Sequence, residues 1–158
     1  SIYAPSGVSP QIRKNRDLFF KKINQKLQNY INEEGNIILL GDFNTTLEKI
    51  DRSTLNDTKH CPSQDSLREI LNKYNLEDIW RIKNPQVELF THYHAATKSQ
   101  SRIDRAYSSE HLNGMIEIDH KINSFPDHFN FVHIGRKLKN IKKQKGTWII
   151  DPSIIKDE

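Results

Sequence analysis

The chain has 158 residues, with 24 lysines and arginines against 20 aspartates and glutamates, a formal net charge of +4. That length predicts one domain burying about two thirds of its unfolded surface. A mean hydropathy of −0.76, with no apolar run approaching the roughly 20 residues of a spanning helix, excludes a helical membrane span and a membrane partner. One cysteine, Cys61, excludes an internal disulfide framework and fits a reducing compartment. The isoelectric point near 9.1 allows a polyanionic partner. No basic–apolar–small leader opens the chain, so a secreted protein is not expected. It starts at Ser1 and its only methionine is Met115, which reads as a piece of something longer.

Ser1 to Ala4 reads as a strand end stopped by Pro5, Gly7 and Pro10. Ile12, Phe19, Ile23, Leu27, Tyr30 and Ile31 then fall mostly three, four and seven apart and predict a helix ended by Gly35-Asn36. Ile37 to Leu40 is a short aliphatic run between glycines and predicts a strand buried on both faces. Residues 45–62 read as a surface loop. Ser63 is positioned to cap a second helix with a face of Leu67, Ile70, Leu71 and Tyr74. Leu76 to Trp80 reads as short and irregular, with Trp80 a core anchor. Strands are expected at Leu89 to Tyr93, Ser101 to Tyr107, Met115 to Lys121 and Phe129 to Ile134. In the third of these, Ile116 and Ile118 alternate with Glu117 and Asp119. From Arg136 a run of Arg136, Lys137, Lys139, Lys142, Lys143 and Lys145 marks a basic tail, either a solvated linker or a phosphate-contacting strip.

Three short motifs carry chemistry. In Gly41-Asp42-Phe43-Asn44, a buried strand delivers Asp42 and Asn44 to the same side. A carboxylate there can take a proton from water, and an amide can donate to a phosphoryl oxygen; a polar turn would have the same residues. In Ser101-Arg102-Ile103-Asp104-Arg105, an acid in a strand between arginines needs a partner, and a salt-bridged sheet edge is the simple alternative. Asp127-His128 precedes the last strand and offers a carboxylate for a hard cation and an imidazole. His92 and His94 alternate on a strand, but with Cys61 far away they do not make up a zinc set.

In this order the motifs resemble the endonuclease/exonuclease/phosphatase superfamily. The resemblance is closer to the endonuclease domain of non-LTR, LINE-type retrotransposons. It is carried by Ile2-Tyr3-Ala4-Pro5, Gly41 to Asn44, Leu76-Glu77-Asp78-Ile79-Trp80-Arg81, Phe90-Thr91, Ser101 to Arg105 and Asp127-His128, and by the tail from Gly146-Thr147-Trp148 to Pro152–Glu158.

The resemblance implies an α/β (α+β) fold, a partial four-layer sandwich of the deoxyribonuclease type lacking its N-terminal part. Residues 1–135 would form the C-terminal part of the endonuclease domain, and 136–158 a linker toward a reverse transcriptase. It implies Mg²⁺-dependent nicking of DNA in an intracellular or nuclear nucleoprotein particle, with no small-molecule cofactor. By the same resemblance Asp42 activates water, Asn44 and Tyr3 contact the scissile phosphate, and Asp104 orients His128. His128 then stabilises charge on the phosphoryl oxygens, with Asp127 and Asp42 at the metal. Thr91, Arg102, Arg105, Lys137 and Lys139 are expected on the nucleic-acid side. Pro126 stands where the family has serine, and the family's metal-binding glutamate lies before the segment where this chain starts. The isolated chain is therefore expected to be catalytically incomplete, with a non-cleaving remnant and a phosphatase of the same fold as the rival readings.

Overall fold

In the computed structural model, residues 1–30, 36–54, 61–122, 127–128 and 130–136 are described. Lys137, Lys139, Pro126 and the linker 137–158 lie outside them. The first crossover explains much of the rest. Strand β1 (Ile2–Tyr3) leads into helix α1 (Pro10–Tyr30) and back to β2 (Ile38–Asp42), which pairs parallel with β1. Proline suits a first helical turn, where its missing N–H is not needed. The turn before α1 is tied down by the buried Arg16, which donates to the carbonyls of Pro5 and Gly7 at 2.7 Å each.

Helix α2 (Pro62–Lys73) starts from Cys61 rather than Ser63. The Cys61 side chain and Gln64 satisfy the first-turn donors reciprocally, and Ser63 is buried beyond the cap. Strand β3 (Leu76–Asp78) and helix α3 (Ile79–Lys83) replace the irregular stretch expected there. The Asp78 side chain caps α3 by accepting the Arg81 N–H at 3.0 Å. Strand β4 (His92–His94) forms a hairpin with β5 (Ser99–Ser101), and β6 (Asp104–Ser109) follows. The strand expected over Ser101 to Tyr107 is interrupted because its backbone donors are diverted: Arg102 N–H goes to Asp51 O and Ile103 N–H to Thr91 Oγ1. Strands β7 (Ile116–Ile122) and β8 (Asn130–Arg136) close the described chain as an antiparallel hairpin.

The main sheet runs β1-β2-β6-β3, with β6 antiparallel to both neighbours. On one side α1 and α2 cover it. There Phe20, Leu67 and Ile70 pack on Leu76 and Tyr107, with Phe43 stacked on Phe20 and edge-on to Tyr107. On the other side Ile79, Ala106 and Ile116 form a smaller cluster, joined by Ile118, so the alternation of β7 works as its sequence predicts. That second side is only partly covered. Ile38 is 43% and Leu40 37% exposed, so β2 is not buried on both faces. Ile37 is buried, but it lies just outside the strand. Among the described residues no helix is long and apolar enough to cross a membrane.

Candidate active site

The site grows from the end of β2. Gly41 holds φ at +134°, and a Cβ there would meet the Ile2 carbonyl oxygen at 2.0 Å. Only glycine lets β1 approach so closely. Beyond it the strand alternates: Phe43 points into the fully buried core, and Asp42 faces the other way. The register sets Asp42 opposite Tyr3 on β1 and opposite Asp104 on β6. One sheet face therefore carries Tyr3, Asp42 and Asp104, together with Ile38 and Leu40.

Asp104 Oδ2 lies 2.9 Å from His128 Nδ1, and His128 Nε2 lies 3.9 Å from Asp42 Oδ2. The imidazole thus lies between two carboxylates. Asn44 is in the left-handed region with φ 45°, a conformation asparagine tolerates. Its backbone N–H donates to Asp42 Oδ1 at 2.7 Å, and its amide donates to Asp42 Oδ2 and to Ala4 O at 2.9 Å each. Asn44 here holds Asp42 in place, instead of presenting a free amide to a phosphate. Tyr3, opposite Asp42 in the register, is 72% exposed.

Burial pushes the Asp42 carboxyl up to about 6, and the neighbouring Asp104 adds to this; the Asn44 N–H, His128 and Arg16 oppose it. A carboxylate poised there changes protonation near neutral pH, which suits a proton acceptor. Burial also lowers the pKa of His92, and the charge of His128 pushes the same way.

Asp42, Asp104 and His128 place one ligand atom each within 4.8 Å of one another. The carboxylates suit a hard cation, whereas the imidazole suits a softer one than Mg²⁺. Asp127 is exposed, stands outside this trio, and accepts the His128 backbone N–H at 3.0 Å.

Three residues expected on the nucleic-acid side are interior. Arg102 and Arg105 are each 1% exposed. Arg102 pairs with Asp51 at 2.8 Å and with Asp78 at 2.6 Å; Arg105 pairs with Asp51 at 3.2 Å and donates to the Tyr107 hydroxyl at 2.7 Å. Arg81 adds a third guanidinium to Asp51 at 2.6 Å. Burial alone would lower the Arg102 pKa, but Asp78 and Asp51 outweigh it and hold the pKa raised. Burial would raise the Asp51 pKa, but Arg105, Arg102 and Arg81 hold it below the usual carboxylate range. Thr91 is fully buried, and its hydroxyl accepts the N–H groups of Ile103 and Asp104 at 3.1 Å each. Buried arginines need counter-charges, and Asp51, in a stretch that reads as surface loop, supplies them. Two arginines flanking a strand acid were the available signal for this carboxylate, but not for its position.

Solved structures share this arrangement of sheet and helices. An AP endonuclease from Archaeoglobus fulgidus superposes with a TM-score of 0.73 at 16% identity, over 86% of this chain and 60% of that one. The 3′ phosphatase NExo from Neisseria, bound to product DNA hairpin, gives 0.71 at 17% identity, over 87% and 60%. The APE2 catalytic domain of Xenopus laevis gives 0.67 at 20% identity, over 89% and 50%. The fold is therefore of the AP endonuclease type. The profile described as endonuclease-reverse transcriptase matches residues 1–132, and the chain belongs to that family. A curated relative, the Transposon TX1 uncharacterized 149 kDa protein of Xenopus laevis, is 31% identical over 161 residues, covering all of this chain and 12% of that protein.

Proposed function

We propose that this chain carries the phosphodiester-cleaving residues of a Mg²⁺-dependent endonuclease that nicks DNA within a retrotransposon protein, next to a reverse transcriptase. The observation that carries the reading is the line Asp104–His128–Asp42, with the imidazole held by one carboxylate at 2.9 Å and facing the other at 3.9 Å. With Nδ1 bound by Asp104, Nε2 is the nitrogen that would meet a phosphoryl oxygen, and a protonated ring answers the charge that develops there. Asp42 takes the proton from the attacking water. Asn44 keeps Asp42 oriented, and the exposed Tyr3 hydroxyl is available to the phosphate. Asp42 and Asp104 would hold the cation, which when bound adds charge stabilisation against the phosphoryl oxygens.

Mg²⁺ keeps several waters and takes oxygen donors, and one of the three side chains in the trio is an imidazole, a softer donor that suits it poorly. This supports a second reading, in which the 158-residue chain binds nucleic acid without cleaving it. The deciding experiment measures Mg²⁺-dependent nicking of supercoiled plasmid by two proteins. One is the chain alone; the other is the chain joined to sequence equivalent to the part of the AP endonuclease fold that it does not span. Nicking by the longer protein alone, lost in His128→Ala and Asp42→Ala, is the expected result. Nicking by the chain alone would overturn the second reading. Release of 3′-phosphate without nicking would move the assignment to a phosphatase.

A further inference from the structure

Asp104 holds the His128 ring at Nδ1, 2.9 Å away, and Nε2 faces Asp42 at 3.9 Å. A further contact comes from three consecutive residues at the start of the β4–β5 hairpin. Thr91 Oγ1 accepts the Asp104 N–H at 3.1 Å and so sets where that carboxylate starts. Tyr93 N–H donates to Asp127 O at 2.8 Å, and His92 forms an isolated antiparallel bridge with His128, so the strand is stitched to the turn that carries the histidine. Between these two backbone anchors, the His92 ring meets the His128 ring edge to face, with centroids 4.9 Å apart and planes at 64°.

We propose that His92 is a positioning residue for His128: its ring fixes the plane of the His128 imidazole so that Nε2 stays aimed at Asp42. The proposal rests on the reading of Asp104, His128 and Asp42 as the working group. Edge-to-face rings at this distance attract each other beyond simple burial, which biases one ring orientation. The contact the His92 side chain makes with His128 is this packing of ring on ring. The groups around it are His128, Asp127, Asp104 and His94. His94 does not extend the contact: its ring is 6.5 Å from that of His92, and its Nδ1 is engaged with Thr97 Oγ1 at 2.8 Å.

The test compares His92→Phe, which keeps an aromatic edge and face, with His92→Leu and His92→Ala, which do not. In the isotope-labelled 158-residue chain, the His128 Nδ1–H resonance should exchange with water at least about fivefold faster in the Ala and Leu variants, and near the parent rate in Phe. In the nicking-competent longer protein, single-turnover rate should fall about tenfold for Ala and Leu with DNA affinity unchanged, and Phe should restore most of it. Backbone amide spectra identify any variant that has lost its fold, and the other non-aromatic variant then decides. Unchanged exchange and turnover in both Ala and Leu would overturn the proposal. So would a Phe variant as impaired as Ala, because the ring nitrogens would then be what matters. If the longer parent protein does not nick at all, the functional reading fails, and the exchange measurement still decides the positioning role.

Discussion

Among single residues, Asp42 ties mechanism to stability. Its ordinary pKa is 3.8, and burial raises it to about 6 in the folded chain. A raised carboxyl pKa means that the protonated form favours folding. The contribution is full below about pH 4 and is lost as pH climbs through about 6. Asp42→Asn cannot ionise, so its stability relative to the parent should improve by about 2–3 kcal/mol between pH 4 and pH 7. Urea melts in chelator across that range measure the difference, and a flat difference would refute the burial assignment. In the longer protein, the nicking rate should rise with pH through the same region, because the proton acceptor works ionised. Gly41 is the other exposed point of dependence. Gly41→Ala drives a Cβ into the Ile2 carbonyl oxygen at 2.0 Å. It should destabilise the chain by about 3 kcal/mol or more, chiefly by prising β1 from β2; a melt within about 1 kcal/mol of the parent would contradict that.

Between elements, charge joins the short 3-10 turn Lys49–Asp51, in the stretch expected as surface loop, to helix α3 and strand β6. Asp51 accepts from Arg81, Arg102 and Arg105, while Arg102 also binds Asp78 at the cap of α3. The Trp80 ring lies against the guanidinium groups of Arg81 and Arg102, at 4.9 and 5.2 Å. Removing the shared carboxylate strands buried arginines, so Asp51→Ala should cost about 3–5 kcal/mol. Replacing both Arg102 and Asp51 by apolar residues should cost less than the sum of the two single changes. A double-mutant cycle with additive losses would show that the cluster is not coupled.

Across the molecule as a unit, one sheet face is left with apolar residues in solvent. Tyr3, Ile38 and Leu40 share it with Asp42 and Asp104. Covering Ile38 and Leu40 fully is worth about 1 kcal/mol each at their present exposure. Such a patch favours association. The purified chain should therefore sediment as concentration-dependent oligomers, and Leu40→Lys should shift it toward monomer. A parent chain that stays monomeric at high concentration would refute this.

Local signals are legible along the chain itself: the helical spacing of α1 and α2, the alternation of β7, the glycine before Asp42, and the three motifs whose order carries the family resemblance. They are legible because short-range periodicity and backbone sterics act between near neighbours in sequence. The convergence of Asp42, Asp104 and His128 follows from the same reading, since each acid or base stands at a strand end or strand start. Which polar residues face outward depends instead on the packed fold. Thr91, Arg102 and Arg105 sit in motifs that would suit a binding surface, yet all three are buried: Arg105 lies on β6, between β2 and β3, Thr91 accepts from the start of that strand, and the partners of the two arginines arrive from Asp51 and Asp78, far away in sequence. Asn44 turns inward for a related reason: the Ala4 carbonyl that accepts from it comes from the segment just after β1. His92 likewise becomes a neighbour of His128 only through the bridge between β4 and the turn before β8. Burial and charge pairing depend on which strands lie side by side, and no spacing along one segment contains that information.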